Sequence, residues 1–168
     1  LPGPTFLYGE GDGDLLAAGG GCAGGAIVGG DGRDDASFAE TQAHPGLLWI
    51  SFPLHKAWVD ALYREGRCKP VRLDPSNEDM EGSFDNDVLV GDSGKNALLG
   101  QPGQDRFYGN GGDDVIDARD GVRDFVIQCN RKGGKPTGRA LADPFDPGST
   151  NCAIHKYGTP VAGLNNGG

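Results

Sequence analysis

From residue 82 onward, an apolar residue recurs at every ninth position. Written in rows of nine from Gly82, the chain reads GSFDNDVLV, GDSGKNALL, GQPGQDRFY, GNGGDDVID and ARDGVRDFV, with Leu89, Leu98, Phe107, Ile116 and Phe125 at the eighth position. In a short extended segment successive side chains point to opposite sides, so one apolar residue between polar neighbours is enough to give the segment an inner face. The fourth positions, Asp85, Gly94, Gly103, Gly112 and Gly121, are turn formers. Each row therefore predicts one turn and one short strand, five rows follow without a gap, and two rows make one coil of a flattened parallel β-helix. The N-terminal part repeats the theme less cleanly in GEGDGDLLA from Gly9, GGCAGGAIV from Gly20 and GGDGRDDAS from Gly29, which place Leu16, Ile27 and Ala36 at position eight.

Position six carries the chemistry. It is Asp87, Asn96, Asp105, Asp114 and Arg123 in the regular rows, and Asp14, Gly25 and Asp34 in the N-terminal ones. Rows of one parity stack on one edge of such a coil, so acids of rows i and i+2 lie over one another, and stacked carboxylates repel unless a cation separates them. Aspartate also favours turns for its own sake, but turn chemistry alone does not fix it two residues after a glycine at nine-residue intervals. The net charge of −9 and pI near 4.6 point the same way, toward cationic partners and away from nucleic acid. The candidate ligands are carboxylate and carbonyl oxygens with no histidine or thiolate among them, which selects calcium over transition metals.

These rows resemble the RTX (repeats-in-toxin) calcium-binding β-roll, whose repeat is G-G-x-G-x-D-x-U-x. The resemblance covers residues 9–17, 20–37 and 82–126, and GGDGRDDAS and GNGGDDVID match best. It implies calcium ions held between same-side turns by position-six aspartates and turn carbonyls, which pairs Asp87 with Asp105, Asn96 with Asp114, and Asp14 with Asp34 across the Gly20 row. Gly25 and Arg123 supply no carboxylate, Asn96 is a neutral ligand, and Asp85 and Pro102 alter their turns. The expectation is about two to four Ca2+ ions rather than one per row.

Residues 38–81 interrupt the rows with little glycine and both tryptophans. GLLWISF reads as a strand. Leu54, Ala57, Trp58, Ala61 and Leu62 fall at helical spacing between Pro53 and Gly66, which predicts an amphipathic helix over 54–65 packed on a face of the roll. Residues 127–168 carry no repeat and read as an irregular tail, with a solvated basic cluster at Arg131, Lys132, Lys135 and Arg139. The four cysteines lack metal-site spacing and suggest disulfides in an oxidising compartment. Three pairings are open to four cysteines; Cys22–Cys68 and Cys129–Cys152 are expected because they join each irregular segment to its nearest rows.

The whole chain thus reads as a mostly β, single-domain parallel β-roll (a β-solenoid), with an inserted strand–helix segment and an irregular C-terminal tail. Catalytic readings lack their parts: GDSG at 91–94 is half a repeat row, His44, His55 and His155 are scattered, and DPSNEDMEG from Asp74 has Asp79 where an EF-hand loop needs glycine. No apolar run reaches the ~20 residues of a membrane span. The expected function is a secreted, extracellular structural or adhesive protein, non-catalytic, associating with itself through the roll ends as an oligomer or head-to-tail filament. FLY at residues 6–8 resembles a row's strand without its turn and offers one such end. The alternatives are a monomeric module binding a glycan at the insertion and a non-catalytic partner domain of a secreted enzyme.

Overall fold

The computed structural model describes residues 4–18, 22, 24–39, 47–59 and 64–158. Their strands are β1 (Thr5–Tyr8), β2 (Leu15–Ala17), β3 (Gly25–Val28), β4 (Asp34–Ser37), β5 (Leu48–Ser51), β6 (Lys56–Val59), β7 (Val71–Leu73), β8 (Asn77–Glu81), β9 (Asp87–Val90), β10 (Ala97–Leu99), β11 (Arg106–Tyr108), β12 (Val115–Ala118), β13 (Val126–Gln128), β14 (Thr137–Ala142) and β15 (Cys152–Tyr157). They form two sheets. One has the order β1-β3-β7-β6-β5-β9-β11-β13 and the other β15-β14-β12-β10-β8-β4-β2. Outside the β5–β7 segment and the final pair, consecutive strands alternate between the sheets, and the second sheet is parallel throughout. A mostly β chain with this alternation is consistent with a β-roll.

The buried position-eight residues and the residues that pair with them line the interior. In the second sheet Leu16, Ala36, Met80, Leu98, Ile116 and Ala140 stand in register across successive strands. In the first, Ala57, Ile50, Leu89, Phe107 and Ile127 do the same. Both ladders belong to one buried apolar cluster. Most strands contribute one or two buried apolar side chains and β4 and β14 only small ones, so the core is thin, and the disulfides Cys22–Cys68 and Cys129–Cys152 add covalent ties at the expected positions.

Four expectations need correction. First, residues 54–59 of the predicted helix form a turn and strand β6, which pairs antiparallel with β5. A short apolar run cannot be assigned to helix or strand by period alone. Here cross-strand pairing decides, since Ala57 joins the core opposite Ile50 while Trp58 stacks on Trp49 with ring centroids 5.5 Å apart. Leu54, assigned to the apolar face, is exposed in the turn. Arg64 is helical, and the predicted helix's residues 60–63 lie outside the described residues. Second, the insertion does not lie on a face of the roll. Strands β5, β6 and β7 are built into the first sheet between β3 and β9.

Third, the tail is not irregular. Strands β14 and β15 extend the second sheet in parallel, with Ala140 on Ile116. Their buried residues Gly138, Ala140 and Ala142 are small and gave little hydrophobic signal. The basic cluster of Arg131, Lys132, Lys135 and Arg139 is exposed, as expected. Fourth, the fifth row is longer than nine residues. Phe107 pairs with Ile127, 1 % exposed, and not with Phe125, which is 50 % exposed and lies outside under the Arg106 guanidinium.

Candidate metal centres

Each strand begins just after a turn, so its first backbone N–H has no partner within its own row. Position six meets that need. On the edge that leads into the first sheet, the Asp87 N–H donates to Asp105 Oδ1 at 2.8 Å, the Asp105 N–H to Asp124 Oδ1 at 2.8 Å, and the Asp124 N–H to Asp146 Oδ1 at 2.9 Å. On the opposite edge the Asp14 N–H donates to Asp34 Oδ1 at 2.8 Å, the Asp34 N–H to Glu78 Oε2 at 2.9 Å, and the Asn96 N–H to Asp114 Oδ1 at 2.9 Å. All three sequence-derived pairs, Asp87 with Asp105, Asn96 with Asp114 and Asp14 with Asp34, are thus brought together. One oxygen of each acceptor in the Asp14 and Asn96 pairs remains: Asp34 Oδ2 and Asp114 Oδ2 are buried and meet no donor. Asp124 Oδ2 is left in the same state.

Carboxylates in this position are costly. Asp34, Asp87, Asp105, Asp114 and Asp124 are at most 3 % exposed, and removing an ionised carboxylate from water disfavours it unless a charge or hydrogen bonds compensate. Burial, reinforced by repulsion from Asp87, pushes Asp105 up to about 10. Burial pushes Asp124 up to about 8, with Asp146, Asp120 and Asp143 adding repulsion. Asp87 and Asp114 rise to about 7 by burial, although the hydrogen bonds from Ser83 and from the Asn96 N–H pull the other way. Proton or cation must supply the missing positive charge.

The glycines at position one show why the turn can host a cation. A Cβ on Gly91 would lie 2.6 Å from Asn96 Oδ1 and 2.8 Å from the Gly109 carbonyl oxygen. A Cβ on Gly82 would likewise collide with Asp87 Oδ2 and lie 2.7 Å from the Gly100 carbonyl oxygen. A side-chain oxygen and the carbonyl of the next same-edge turn therefore converge over each glycine. Convergent carboxylate and carbonyl oxygens are the ligand set of calcium, which accepts a flexible shell of 6–8 oxygens at about 2.3–2.6 Å. Among the described residues no three His, Cys, Asp or Glu side chains gather into a metal cage. A shell here would combine carboxylates of stacked rows with main-chain oxygens, and the residues fit that role.

The ladders also contain acids that the nine-residue reading passed over. Glu78 stands at position six of LDPSNEDME, residues 73–81, a row in phase with Gly82 that lacks the leading glycine; its Met80 is at position eight and buried. Only the phase reveals it. Asp124 takes the place assigned to Arg123 because the fifth row carries extra residues. Asp146 lies in a loop without repeat and left no sequence signal.

Residues 74–106 and 90–122 match the family described as RTX calcium-binding nonapeptide repeat (4 copies), together under a third of the chain. No curated protein matches the sequence. The match begins at the row containing Glu78 and runs through the stacked acids Asp87, Asn96, Asp105 and Asp114, so on motif, phase and geometry alike residues 74–122 are a segment of RTX-type calcium-binding nonapeptide repeats.

Proposed function

We propose that the chain is a calcium-stabilised, non-catalytic, extracellular β-roll with a structural role, and that its two sheets close into a β-solenoid. About two to four calcium ions sit between same-edge turns, held by Asp87 with Asp105, Asn96 with Asp114 and Asp14 with Asp34. The observation that carries the reading is the pair of acid ladders, in which carboxylates stack, lie buried and keep oxygens that no protein donor reaches. Two disulfides support an oxidising, extracellular setting. No helix among the described residues is long and apolar enough to cross a membrane. The non-catalytic reading is supported by GDSG, whose Asp92 carboxylate accepts the Gly94 N–H within a repeat turn.

Self-association through the ends is the finer part of this proposal. Among the described strands β1 pairs with β3 alone, and it displays Phe6 at 60 % and Tyr8 at 67 % exposure. At the opposite end β15 pairs, among the described strands, with β14 alone. Open parallel edges of this kind accept an added strand, and a heterologous end-to-end contact propagates as a filament. The glycan reading finds less support, because Trp58 is 7 % exposed and its ring is stacked on Trp49. Calcium titration by calorimetry tests the binding claim; about two or more ions per chain support it and absence of binding ends it. Sedimentation with saturating calcium tests association: a monomer at high concentration rules out the filament.

A further inference from the structure

The ladder on the first edge does not stop with the repeats. Its last members are Asp120, Asp124, Asp143 and Asp146, and the latter two belong to the loop DPFD, outside the segment that matches the repeat family. Both oxygens of Asp120 accept backbone N–H groups, from Val122 and Gly103. Both oxygens of Asp146 do so too, from Asp124 and Asp143. Asp124 and Asp143 differ. Asp124 Oδ1 accepts the Asp105 N–H, and Asp143 Oδ2 accepts the N–H groups of Asp120 at 3.0 Å and Gly121 at 2.7 Å. Their second oxygens, Asp124 Oδ2 and Asp143 Oδ1, are buried and meet no donor, on side chains 3 % and 0 % exposed.

We propose that the loop 143–146 completes a further calcium site at the C-terminal end of this ladder, with Asp124 and Asp143 as its carboxylate ligands and Asp120 and Asp146 as positioning residues. Two unpartnered buried carboxylate oxygens within mutually repelling groups call for positive charge. Arg119 and His155 attract Asp143 and Asp146 through space, but neither donates to Asp124 Oδ2 or Asp143 Oδ1. Arg119 is engaged bidentately by Asp117, and His155 Nδ1 contacts Ser149 Oγ at 2.6 Å. A hard divalent cation with main-chain oxygens and water completing its shell fits these donors. Unlike a repeat site, this one needs no glycine-rich row: Pro144 and Phe145 link its two acids.

The inference rests on the calcium-binding reading, and the test separates the two. Native mass spectrometry in calcium would count ions on the wild type and on Asp143→Asn. The site predicts one ion fewer on the variant, with the remaining ions and the circular dichroism spectrum retained. Equal counts on both proteins overturn this inference alone, whereas a wild type that carries no ion overturns the calcium reading as well. If Asp143→Asn does not fold, a terbium-soaked crystal of the wild type decides. An anomalous peak bonded to Asp124 and Asp143 supports the site, and peaks confined to the repeat turns overturn it.

Discussion

Asp105 concentrates the residue-scale argument. It accepts the Asp87 N–H, lies beneath another acid and is pushed up to about 10 without a cation. A carboxyl whose folded pKa exceeds its unfolded value of 3.8 binds more protons in the fold, so stability is full at acid pH and is lost as pH rises through the folded pKa. Asp87, Asp114 and Asp124, raised to about 7, 7 and 8, act in the same direction. The calcium-free protein should therefore melt at a higher temperature at pH 5 than at pH 8, and calorimetry in chelator checks this; melting temperatures rising toward pH 8 would contradict it. With calcium the dependence should reverse, because the ion competes with those protons. A second residue-scale outcome concerns Gly91→Ala. The added methyl would press on Asn96 Oδ1 and the Gly109 carbonyl, and should cost about 1–3 kcal/mol by chemical denaturation and weaken calcium binding.

At the scale of elements, the inner ladder does the holding. Ile116 is fully buried between Leu98 and Ala140, so Ile116→Ala should cost about 2–5 kcal/mol in thermal or urea unfolding. Reduction should loosen β14 and β15 before the repeat strands, because Cys129–Cys152 ties β15 to the end of β13; each disulfide is worth about 2–4 kcal/mol. Hydrogen exchange on reduced and oxidised protein would show it, with uniform loss of protection contradicting it. The same elements explain what the sequence could show. Leu89, Leu98, Phe107 and Ile116 were legible because one residue type recurs in one phase, and the acids stacked above them were legible for the same reason. β6 was not, because KAWV suits helix and strand alike until Trp49 is placed beside Trp58. β14 was not, because its inner residues are glycine and alanine. Asp124 was hidden by the added length of its row, and Asp146 by a loop whose partner is remote in sequence.

For the whole molecule, two disulfides and a thin core leave a charge problem that runs the length of both edges. The net charge of −9 adds to it. In the proposed account calcium answers this repulsion and is therefore coupled to folding, since the unfolded chain separates Asp87 from Asp105 and Asp14 from Asp34. Association at the open edges of β1 and β15 would then be calcium-dependent as well, because the strands that bind a neighbour are held by the same stack. The measurement that tests this most directly is thermal melting of the oxidised protein, followed by circular dichroism, in excess calcium and in EGTA, with native mass spectrometry confirming that the chelated sample is free of ions. The account predicts a much lower melting temperature, or an unfolded spectrum, in EGTA at pH 7.5; an unchanged melting temperature in ion-free protein would contradict it.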